Sequence, residues 1–549
     1  MPPFPSRATL AALLLGIAAP AAAQSVDTAA VDAILARRGT APAPGCALGV
    51  SRDGRAVYAK GYGLASVEQA TAITPRTVFD VGSVSKQFTA AAVVLLARDG
   101  RLSLDDDVRK YVPELPDLGR TTIRQLLHHT SGWRDYIDLM MFAGWDDRDH
   151  TTDRDALDAL KRAKALNFPP DSAFRYSNTG YFLLSEVVKR VAGRGLDAEA
   201  AARIFGPLGM ADTHYLTDAR EIIPRKATGY ARADSGRWEV AMSNWEQIGD
   251  GGVQTTVLDL LTWAAELDHS AVLGDSLVRL METPGRLRDG TSTGYGFGLQ
   301  SDEYRGVRRV QHGGAWAGYR AALLRLPPQR LAVAVICNTG GADNPSALAQ
   351  RVADLWLDAA GVPAASKPAA TVARAASSEG ADALGGYAGI YSDGALALAR
   401  LVPAEGTVAL GAVTTGRPLR ALVPLGAGRF ADTVTGAEFR VGSGALTLSQ
   451  PNAPPARLTR VAAPLDSAAF GVYAGRYASA EANVTWTVEP RNGRLFVVPP
   501  RGEATALTPV YRDAFNGPGR VRFVRDGAGK VIALTVTTRG VQDVRFERK

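Results

Sequence analysis

Ser83 and Lys86 are the residues of this sequence whose types and spacing first suggest chemistry. They lie in the segment VGSVSKQFTA, where Gly82 ends an extended run and the following residues predict a buried helix that ends at Gly100. Residues three apart share a helix face, so the lysine amine can reach the serine hydroxyl. The positive end of the helix dipole and partial burial would lower the lysine pKa, and a neutral lysine could accept the serine proton. Because S-x-x-K is also common by chance, the hypothesis needs support from elsewhere in the chain.

A second polar segment, FRYSNTG, precedes the predicted helix YFLLSEVVKRVAG. Tyr176 and Asn178 lie two residues apart in it, so in an extended turn both side chains point the same way. A tyrosine hydroxyl can relay a proton, and an asparagine amide can orient a substrate carbonyl. The alternative is a turn with a buried tyrosine and no catalytic role.

A third segment, VQHGGAWAGY, ends a predicted strand in the glycine pair Gly313 and Gly314. Glycines lack side chains and let a substrate lie alongside the strand edge. The main-chain N–H of Ala315 could then join that of Ser83 to form an oxyanion hole. By itself, His312 is interpreted as a hydrogen-bonded histidine of the strand.

Two other groups of residues are candidates that we set aside. The G-x-S-x-G string around Ser292 could be a nucleophile elbow, but such an elbow needs a buried strand before the serine and a helix after it. METPGRLRD precedes the string and the strand-like YGFGLQ follows, so we do not expect Ser292 to be catalytic. His128 and His129 are adjacent and would point apart, and no Cys/His cluster has zinc-ligand spacing, so we expect no metal site.

The elements that must position these residues form one predicted domain over residues 24–360. An amphipathic helix is followed by two strand-like runs, a mostly helical stretch from about 80 to 265, three further strand-like runs and a closing helix, SALAQRVADLWLDAAG. This order predicts an α/β (α+β) domain in which helices flank an antiparallel five-stranded sheet.

The C-terminal third differs from the rest of the chain in composition and in its predicted secondary structure. Residues 361–383 are rich in Ala, Pro and Ser without an apolar period, which predicts a linker. Short alternating strands follow, and the motif GGYAGIY around Tyr387 returns 86 residues later as GVYAGRY around Tyr473. Two tandem β modules, 384–465 and 466–549, are therefore predicted, each a small antiparallel barrel or sandwich.

The three polar segments occur in the order S-x-x-K, Y-x-N and H-G-G, which resembles the penicillin-recognising serine hydrolases. The chain looks most like the group related to class C β-lactamases, which includes esterases, D-aminopeptidases and D-peptidases. Four further stretches match the pattern of that group, namely GRLSLDD, QLLHHTSG, GPLGM and GGVQTT. The resemblance covers residues from about 30 to 360 and implies the β-lactamase/transpeptidase fold.

This resemblance also implies a mechanism through an acyl-enzyme. Ser83 would attack a carbonyl while Lys86 and Tyr176 handle its proton, and the N–H groups of Ser83 and Ala315 would hold the oxyanion. Asn178 would position the acyl chain, and water would release the acid with Tyr176 as the base. No metal and no organic cofactor is implied.

One position departs from the pattern of the β-lactamases and penicillin-binding proteins, which carry lysine in the third motif where this chain has His312. Histidine is largely neutral near pH 7 and is a weaker partner for a β-lactam carboxylate, so we expect no strong β-lactamase activity. Esterases and D-aminopeptidases of the group commonly have histidine there. The two C-terminal modules resemble the lipocalin-like barrels of bacterial D-aminopeptidases, in which a barrel loop reaches the active site.

The N-terminus predicts export. Arg7, an apolar run from Ala8 to Ala19 and the small residues Ala21–Ala23 are typical of a cleavable signal peptide, residues 1–23. The run is too short for a membrane span, and no other stretch is long enough. We therefore predict a periplasmic or secreted protein. Cys46 and Cys337 are expected to be buried free thiols, although export would also permit one disulfide.

Composition limits the function classes. Of the 549 residues, 46% are hydrophobic and 21% charged, which is typical of a globular protein and excludes a disordered chain. The net charge of +7 comes without a basic run, so we expect no nucleic-acid partner. The sequence thus predicts a serine hydrolase for small esters, or for amides and short peptides with D-residues. The alternatives are a weak β-lactamase or DD-peptidase and a non-catalytic cell-wall binding or sensor protein.

Overall fold

The computed structural model describes residues 26–36, 42–364, 381–404, 407–411, 418–432, 435, 437–450 and 455–549. The predicted signal peptide, 1–23, lies outside these ranges, as does most of the predicted linker. Within them, no helix combines the length and the apolar character that a membrane crossing requires. The predicted domain limits stay predictions.

A six-stranded antiparallel sheet organises the N-terminal domain, in the order β10-β11-β12-β13-β1-β2. Its strands are β1 (Cys46–Arg52), β2 (Arg55–Tyr62), β10 (Gln300–Tyr304), β11 (Val307–Trp316), β12 (Tyr319–Leu326) and β13 (Leu331–Cys337). The sequence predicted five of them and missed β10. That strand reads QSDEY and is mostly exposed at the sheet edge, so it lacks the apolar residues by which the others were recognised. The sheet count of five is therefore corrected to six.

Helices cover both faces of this sheet. On one face, α1 and α11 pack against the side chains of Leu48, Val50, Val333 and Val335. On the other, α9 packs against β1 and β13, and helix α2, which is buried except in its last turn, lies beyond it. The helices are α1 (Thr28–Leu35), α2 (Lys86–Arg98), α3 (Ile123–Leu127), α4 (Tyr136–Phe142), α5 (Asp153–Leu160), α6 (Asn178–Ala192), α7 (Leu196–Ala200), α8 (Gly206–Leu208), α9 (Val257–His269), α10 (Asp275–Glu282) and α11 (Pro345–Ala359).

Short strands connect the helical part to the nucleophile segment. Strand β9 pairs with both β5 and β6, and this small sheet leads directly into the turn at Gly82. The short strands are β3 (Leu64–Ser66), β4 (Thr71–Ala72), β5 (Phe79–Asp80), β6 (His214–Tyr215), β7 (Tyr230–Arg232), β8 (Trp238–Val240) and β9 (Val253–Thr255).

Cys46 and Cys337 form a disulfide, so the expectation of two free thiols was wrong. The two residues are directly opposite each other in the antiparallel pairing of β1 with β13. They are 291 residues apart in the chain, and no local pattern indicates that these two strands are neighbours.

Removing this disulfide should destabilise the protein. We expect the double variant Cys46→Ala, Cys337→Ala to lose about 2–5 kcal/mol of unfolding free energy, because the cross-link restricts the unfolded chain. Urea unfolding with and without dithiothreitol measures the loss. Dithiothreitol should lower the midpoint of the wild type towards that of the variant and leave the variant unchanged. Equal midpoints for both proteins under oxidising conditions would show that the cross-link contributes nothing.

Two antiparallel β modules follow, as predicted. In the first, the described residues form a nine-stranded sheet whose end strands β17 and β18 are separated only by Leu422, so it is a nearly closed barrel. Helix α12 (Ala381–Tyr387) precedes it, and its strands are β14 (Gly389–Ser392), β15 (Leu398–Ala404), β16 (Thr407–Gly411), β17 (Pro418–Ala421), β18 (Val423–Gly426), β19 (Arg429–Ala431), β20 (Glu438–Gly442), β21 (Ala445–Ser449) and β22 (Ala456–Val461).

The second module is a closed barrel. Its strands are β23 (Gly475–Ser479), β24 (Val484–Arg491), β25 (Arg494–Val498), β26 (Thr505–Tyr511), β27 (Ala514–Asn516), β28 (Arg520–Arg525), β29 (Val531–Thr537) and β30 (Val544–Arg548). The repeated motif makes the same contact in both modules: Tyr391 donates to the carbonyl of Tyr387 at 2.8 Å, and Tyr477 donates to the carbonyl of Tyr473 at 2.8 Å.

The loop between β29 and β30, residues 538–543, joins the second barrel to the N-terminal domain. The carbonyl of Gly540 accepts hydrogen bonds from the main-chain N–H of Asp135 at 3.1 Å and from the Asn167 amide at 2.8 Å. A Cβ at Gly540 would lie 2.4 Å from Cβ of Asp135, so only glycine fits there. A buried ion pair between Arg134 and Glu481 lies beside this contact.

Candidate active site

The nucleophile candidate Ser83 lies in a tight turn rather than in the helix itself. Residues Gly82–Ser85 form a 3₁₀ turn, and the α-helix begins only at Lys86. Gly82 has a φ of +49° and donates its N–H to the Asp80 carboxylate at 2.7 Å, which stabilises the turn. The lysine amine reaches the serine hydroxyl, as the spacing predicts: Lys86 Nζ donates to Ser83 Oγ at 3.0 Å.

Lys86 is completely buried and makes two more hydrogen bonds, to Asn178 Oδ1 at 2.9 Å and to the main-chain carbonyl of Asp250 at 2.6 Å. Burial lowers the pKa of Lys86 to about 8, against the opposing charges of Asp250 and Asp135. Burial also raises the pKa of Asp250, to about 6. The pKa of Lys86 is thus close to neutral pH, so the lysine can lose its proton and act as a general base at Ser83.

Tyr176 completes the immediate surroundings of Lys86, with the lysine Nζ 4.8 Å from its ring centre. Its hydroxyl is buried and forms no hydrogen bond of good geometry. Burial raises the pKa of Tyr176 well above its usual value, and the neighbouring Ser83 hydroxyl opposes this rise. The hydroxyl therefore stays protonated near neutral pH and suits the relay of a proton.

The third segment lies along the other side of Ser83. A Cβ on Gly82 would meet the Ala315 nitrogen at 2.7 Å, and one on Gly314 would meet the Val81 carbonyl at 1.9 Å, so the absence of side chains permits this close approach. Because a two-residue turn closes the β11–β12 hairpin, Ala315 occupies a non-hydrogen-bonded pair with Arg320, and its N–H points away from β12. This orientation suits an oxyanion hole shared with Ser83.

His312 is neutral in this site. Burial and the nearby Lys86 lower its pKa to about 4. Its Nδ1 lies 2.6 Å from the Gly313 carbonyl, which can only accept, so Nδ1 carries the proton and Nε2 accepts from the Tyr295 hydroxyl at 2.8 Å. Both ring nitrogens are thus occupied, and His312 does not offer a free cation to a substrate carboxylate.

A cavity of about 780 Å³ unites these residues. Ser83, Tyr176, Asn178 and the 312–315 segment all line it, so the structure brings together the predicted site residues, with Lys86 directly beneath. A tryptophan pair, Trp245 and Trp316, with ring centres 5.7 Å apart, also lines it.

The described lining residues fall between Asp80 and Ser346, so none of the barrel residues that the structure describes enters this cavity. Loop 538–543 instead contacts Asp135, whose carboxylate accepts the main-chain N–H of Asn178 at 2.5 Å. The second barrel therefore supports Asn178 from behind rather than narrowing the cavity.

None of the candidates set aside lines this cavity, although His129 packs against Tyr176 with ring centres 4.3 Å apart. Ser292 is exposed on a loop and is not among the lining residues. His128 and His129 have different partners, the Tyr295 carbonyl and the Ser177 N–H respectively, so their imidazoles diverge.

Sequence reasoning missed Tyr295, Tyr136 and Asp250 as residues of the site. Tyr136 donates to Asp250 Oδ2 at 3.1 Å, and both residues line the cavity. The available signals were weak: Tyr295 begins the apolar run YGFG, and Asp250 lies in the glycine-rich turn GDGG. Neither segment has a periodicity or a spacing that indicates a catalytic or binding role.

Activity that depends on neutral Lys86 should rise with pH. We expect kcat/KM for an ester without an amine, p-nitrophenyl acetate, to rise about tenfold per pH unit below pH 8 and then level off, since deprotonation through a pKa of about 8 forms the base. Initial rates from pH 6 to 9.5, corrected for uncatalysed hydrolysis, provide the measurement. A flat profile between pH 6 and 8 would contradict a lysine base.

Comparisons with known proteins show which relatives and solved structures this chain is similar to. A curated D-aminopeptidase of Gluconobacter oxydans (strain 621H) is 32% identical over 310 residues, which are 56% of this chain and 58% of the relative, so the match spans little more than half of that relative's length. The octameric penicillin-binding protein homologue from Pyrococcus abyssi superposes with a TM-score of 0.53 at 20% identity. The superposition covers 92% of this chain and 95% of the homologue's chain. D-amino acid amidase from Ochrobactrum anthropi SV3 superposes with a TM-score of 0.51 at 24% identity, and the superposition covers 61% of this chain and 98% of the amidase chain.

These structural likenesses show the fold, in agreement with the predicted β-lactamase/transpeptidase-like domain. The family model described as Beta-lactamase matches residues 31–355, which is more than half of the chain. This protein therefore belongs to the Beta-lactamase family.

Proposed function

We propose that this protein is a serine hydrolase that acts through an acyl-enzyme on amides and short peptides with an N-terminal D-residue, and on small esters. The observation that carries the proposal is the hydrogen bond of 3.0 Å from Lys86 Nζ to Ser83 Oγ on the cavity floor. The names of the curated relatives, which are D-aminopeptidases, support D-amides as the substrate class.

In the proposed reaction, neutral Lys86 takes the Ser83 proton as Oγ attacks the substrate carbonyl. The N–H groups of Ser83 and Ala315 hold the oxyanion. The proton then passes from Lys86 through the Tyr176 hydroxyl to the leaving nitrogen, and the C–N bond breaks. Water then attacks the acyl carbon, and its proton passes through the Tyr176 hydroxyl to Lys86. Lys86 returns a proton to Ser83 Oγ as the bond between Oγ and the acyl carbon breaks, which releases the acid and restores the free serine.

The geometry disfavours the two alternatives. A β-lactamase or DD-peptidase would need a cation for the substrate carboxylate in the third segment, whereas His312 is neutral with both nitrogens occupied. A non-catalytic binding protein would not need the contact between Ser83 and Lys86.

A hydrolysis panel on purified full-length protein tests the proposal. It contains p-nitrophenyl acetate and butyrate, D- and L-alanine p-nitroanilide, and nitrocefin. We expect turnover of the esters and the D-anilide, the L-anilide slower by at least about tenfold, and no turnover of nitrocefin. Ester turnover without D-anilide turnover would remove the D-peptidase part, and no turnover at all would overturn the proposal.

We also propose that the protein is exported to the periplasm or secreted. The signal-peptide pattern in residues 1–23 supports this, and the disulfide suits an oxidising compartment. Cell fractionation followed by N-terminal sequencing should give a mature chain that starts at Gln24. An intact Met1 terminus on the bulk of the protein would refute cleavage.

A further inference from the structure

Two cavity-lining residues carry a buried polar atom without a hydrogen-bond partner of good geometry, namely Tyr176 Oη and Asp250 Oδ1. The tyrosine hydroxyl has a place in the proposed reaction, and the carboxylate oxygen has none. Asp250 is only 6% exposed, and its other oxygen, Oδ2, accepts from the Tyr136 hydroxyl at 3.1 Å. One oxygen of a buried carboxylate is therefore without a hydrogen-bond donor.

A buried carboxylate oxygen is costly to leave without a hydrogen-bond donor. Lys86 does not serve it, because its ammonium bonds to the main-chain carbonyl of Asp250 rather than to the carboxylate. Asp80, a second acid of the cavity, already accepts from the Gly82 N–H and from the Gln254 amide at 2.8 Å. The oxygen without a donor thus distinguishes Asp250 from Asp80.

We propose that Asp250 is a specificity-determining residue that binds the free α-ammonium of the substrate through Oδ1 while the adjacent carbonyl lies on Ser83. The ligand class is an amino acid amide, an amino acid ester or a peptide with an unblocked N-terminus. The inference rests on the proposed function, because it assumes that the acyl group transferred to Ser83 is an aminoacyl group.

The main chain of Asp250 lies near Ser83, as this assignment requires. In an amino acid, the amine nitrogen lies about 2.5 Å from the carbonyl carbon. A carbonyl carbon in position for attack lies about 3 Å from the nucleophile. The ammonium must therefore lie close to Ser83, and Asp250 is next to it: Lys86 Nζ bridges Ser83 Oγ at 3.0 Å and the Asp250 carbonyl at 2.6 Å.

Binding of the ammonium would also favour the base form of Lys86. Asp250 and Asp135 are the acids whose negative charges raise the Lys86 pKa, and a cation on Asp250 would cancel one of them. A substrate with a free amine therefore assists the deprotonation of the residue that activates Ser83. A substrate with an acylated amine provides no such help.

The test measures protection of Ser83 from a fluorophosphonate probe, which needs no turnover. The two competing ligands are D-phenylalanine amide and 3-phenylpropanamide, which is the same molecule without its amine. For the wild type we expect the amine-bearing ligand to give half-protection at a concentration at least tenfold lower than the ligand without the amine. In Asp250→Asn the ratio of these two concentrations should fall to near one. The same ratio in variant and wild type, or no preference in the wild type, would overturn the inference.

A matched control and a second readout keep the outcomes distinct. Asp343→Asn removes one negative charge from another lining residue of the same cavity and should preserve the ratio. If Asp250→Asn fails to fold, the wild-type protein can still overturn the inference, because N-acetyl-D-phenylalanine amide should bind as weakly as the ligand without the amine. Tighter binding by the acetylated ligand would overturn the inference. Failure of D-anilide turnover in the hydrolysis panel would remove the D-peptidase part of the proposed function without affecting this measurement, whereas absence of labelling at Ser83 would overturn both.

Discussion

Replacing Ser83 by alanine should reduce hydrolysis of p-nitrophenyl acetate and D-alanine p-nitroanilide by at least about 10⁴-fold. The variant removes the atom that would form the acyl-enzyme and keeps the main-chain N–H groups of Ser83 and Ala315, so binding survives while covalent catalysis does not. Labelling by a fluorophosphonate probe should disappear as well. Steady-state rates together with mass spectrometry of the labelled protein measure both effects.

Ser292→Ala is the matched control, because Ser292 is the serine of the G-x-S-x-G string and lies exposed outside the cavity. That variant should retain both activity and labelling. Normal labelling of Ser83→Ala would remove Ser83 as the nucleophile. Loss of labelling in Ser292→Ala, with an unchanged melting temperature, would transfer the role to the rejected string.

Lys86→Met should lower kcat for the same ester by about 10³-fold, the range that a positioned general base contributes. Methionine has a similar length and cannot take a proton from Ser83. The variant should also lose the rise of activity towards pH 8, because that rise is the titration of the lysine. The loss of the pH dependence separates a base from a residue that only fills the space between Asn178 and Asp250.

Lys226→Met removes a lysine that lines the cavity and tests whether the loss of a positive charge alone explains the lower activity of Lys86→Met. We expect this variant to keep the rising pH limb, whatever its effect on KM. A Lys86→Met variant that kept the limb with its midpoint near pH 8 would exclude Lys86 as the titrating base, even if its activity were low.

The elements that bear the catalytic candidates could be predicted from local pattern. A helix places i and i+3 on one face, and so Ser83 and Lys86 could be paired from their spacing alone. The apolar runs of β1, β12 and β13 predict strands because their side chains are buried in the sheet. Strand β10 was missed for the opposite reason, since its polar residues are exposed at the edge and leave no apolar signal.

The partners of those candidates could not be predicted. Tyr295 hydrogen-bonds His312 from a segment without regular spacing, and Asp250 lies 164 residues after the lysine that bonds its carbonyl. The contact of Gly540 with Asp135 depends on how a C-terminal barrel docks against a loop far away in the chain. Such contacts follow from packing, and no local period records them.

The amino-acid sequence was sufficient to establish the order of the three motifs, the family resemblance, the tandem β modules and the residues expected to do chemistry. These features depend on short-range geometry, the helical and strand periods that a few neighbouring residues express. Packing in three dimensions was needed to establish that the two cysteines are bonded and that His312 is neutral with both ring nitrogens hydrogen-bonded. It was also needed to establish that the second barrel supports Asn178 rather than filling the cavity, and that one carboxylate oxygen of Asp250 lacks a hydrogen-bond donor. Those features depend on sheet register and on burial, which arise only when distant segments pack together.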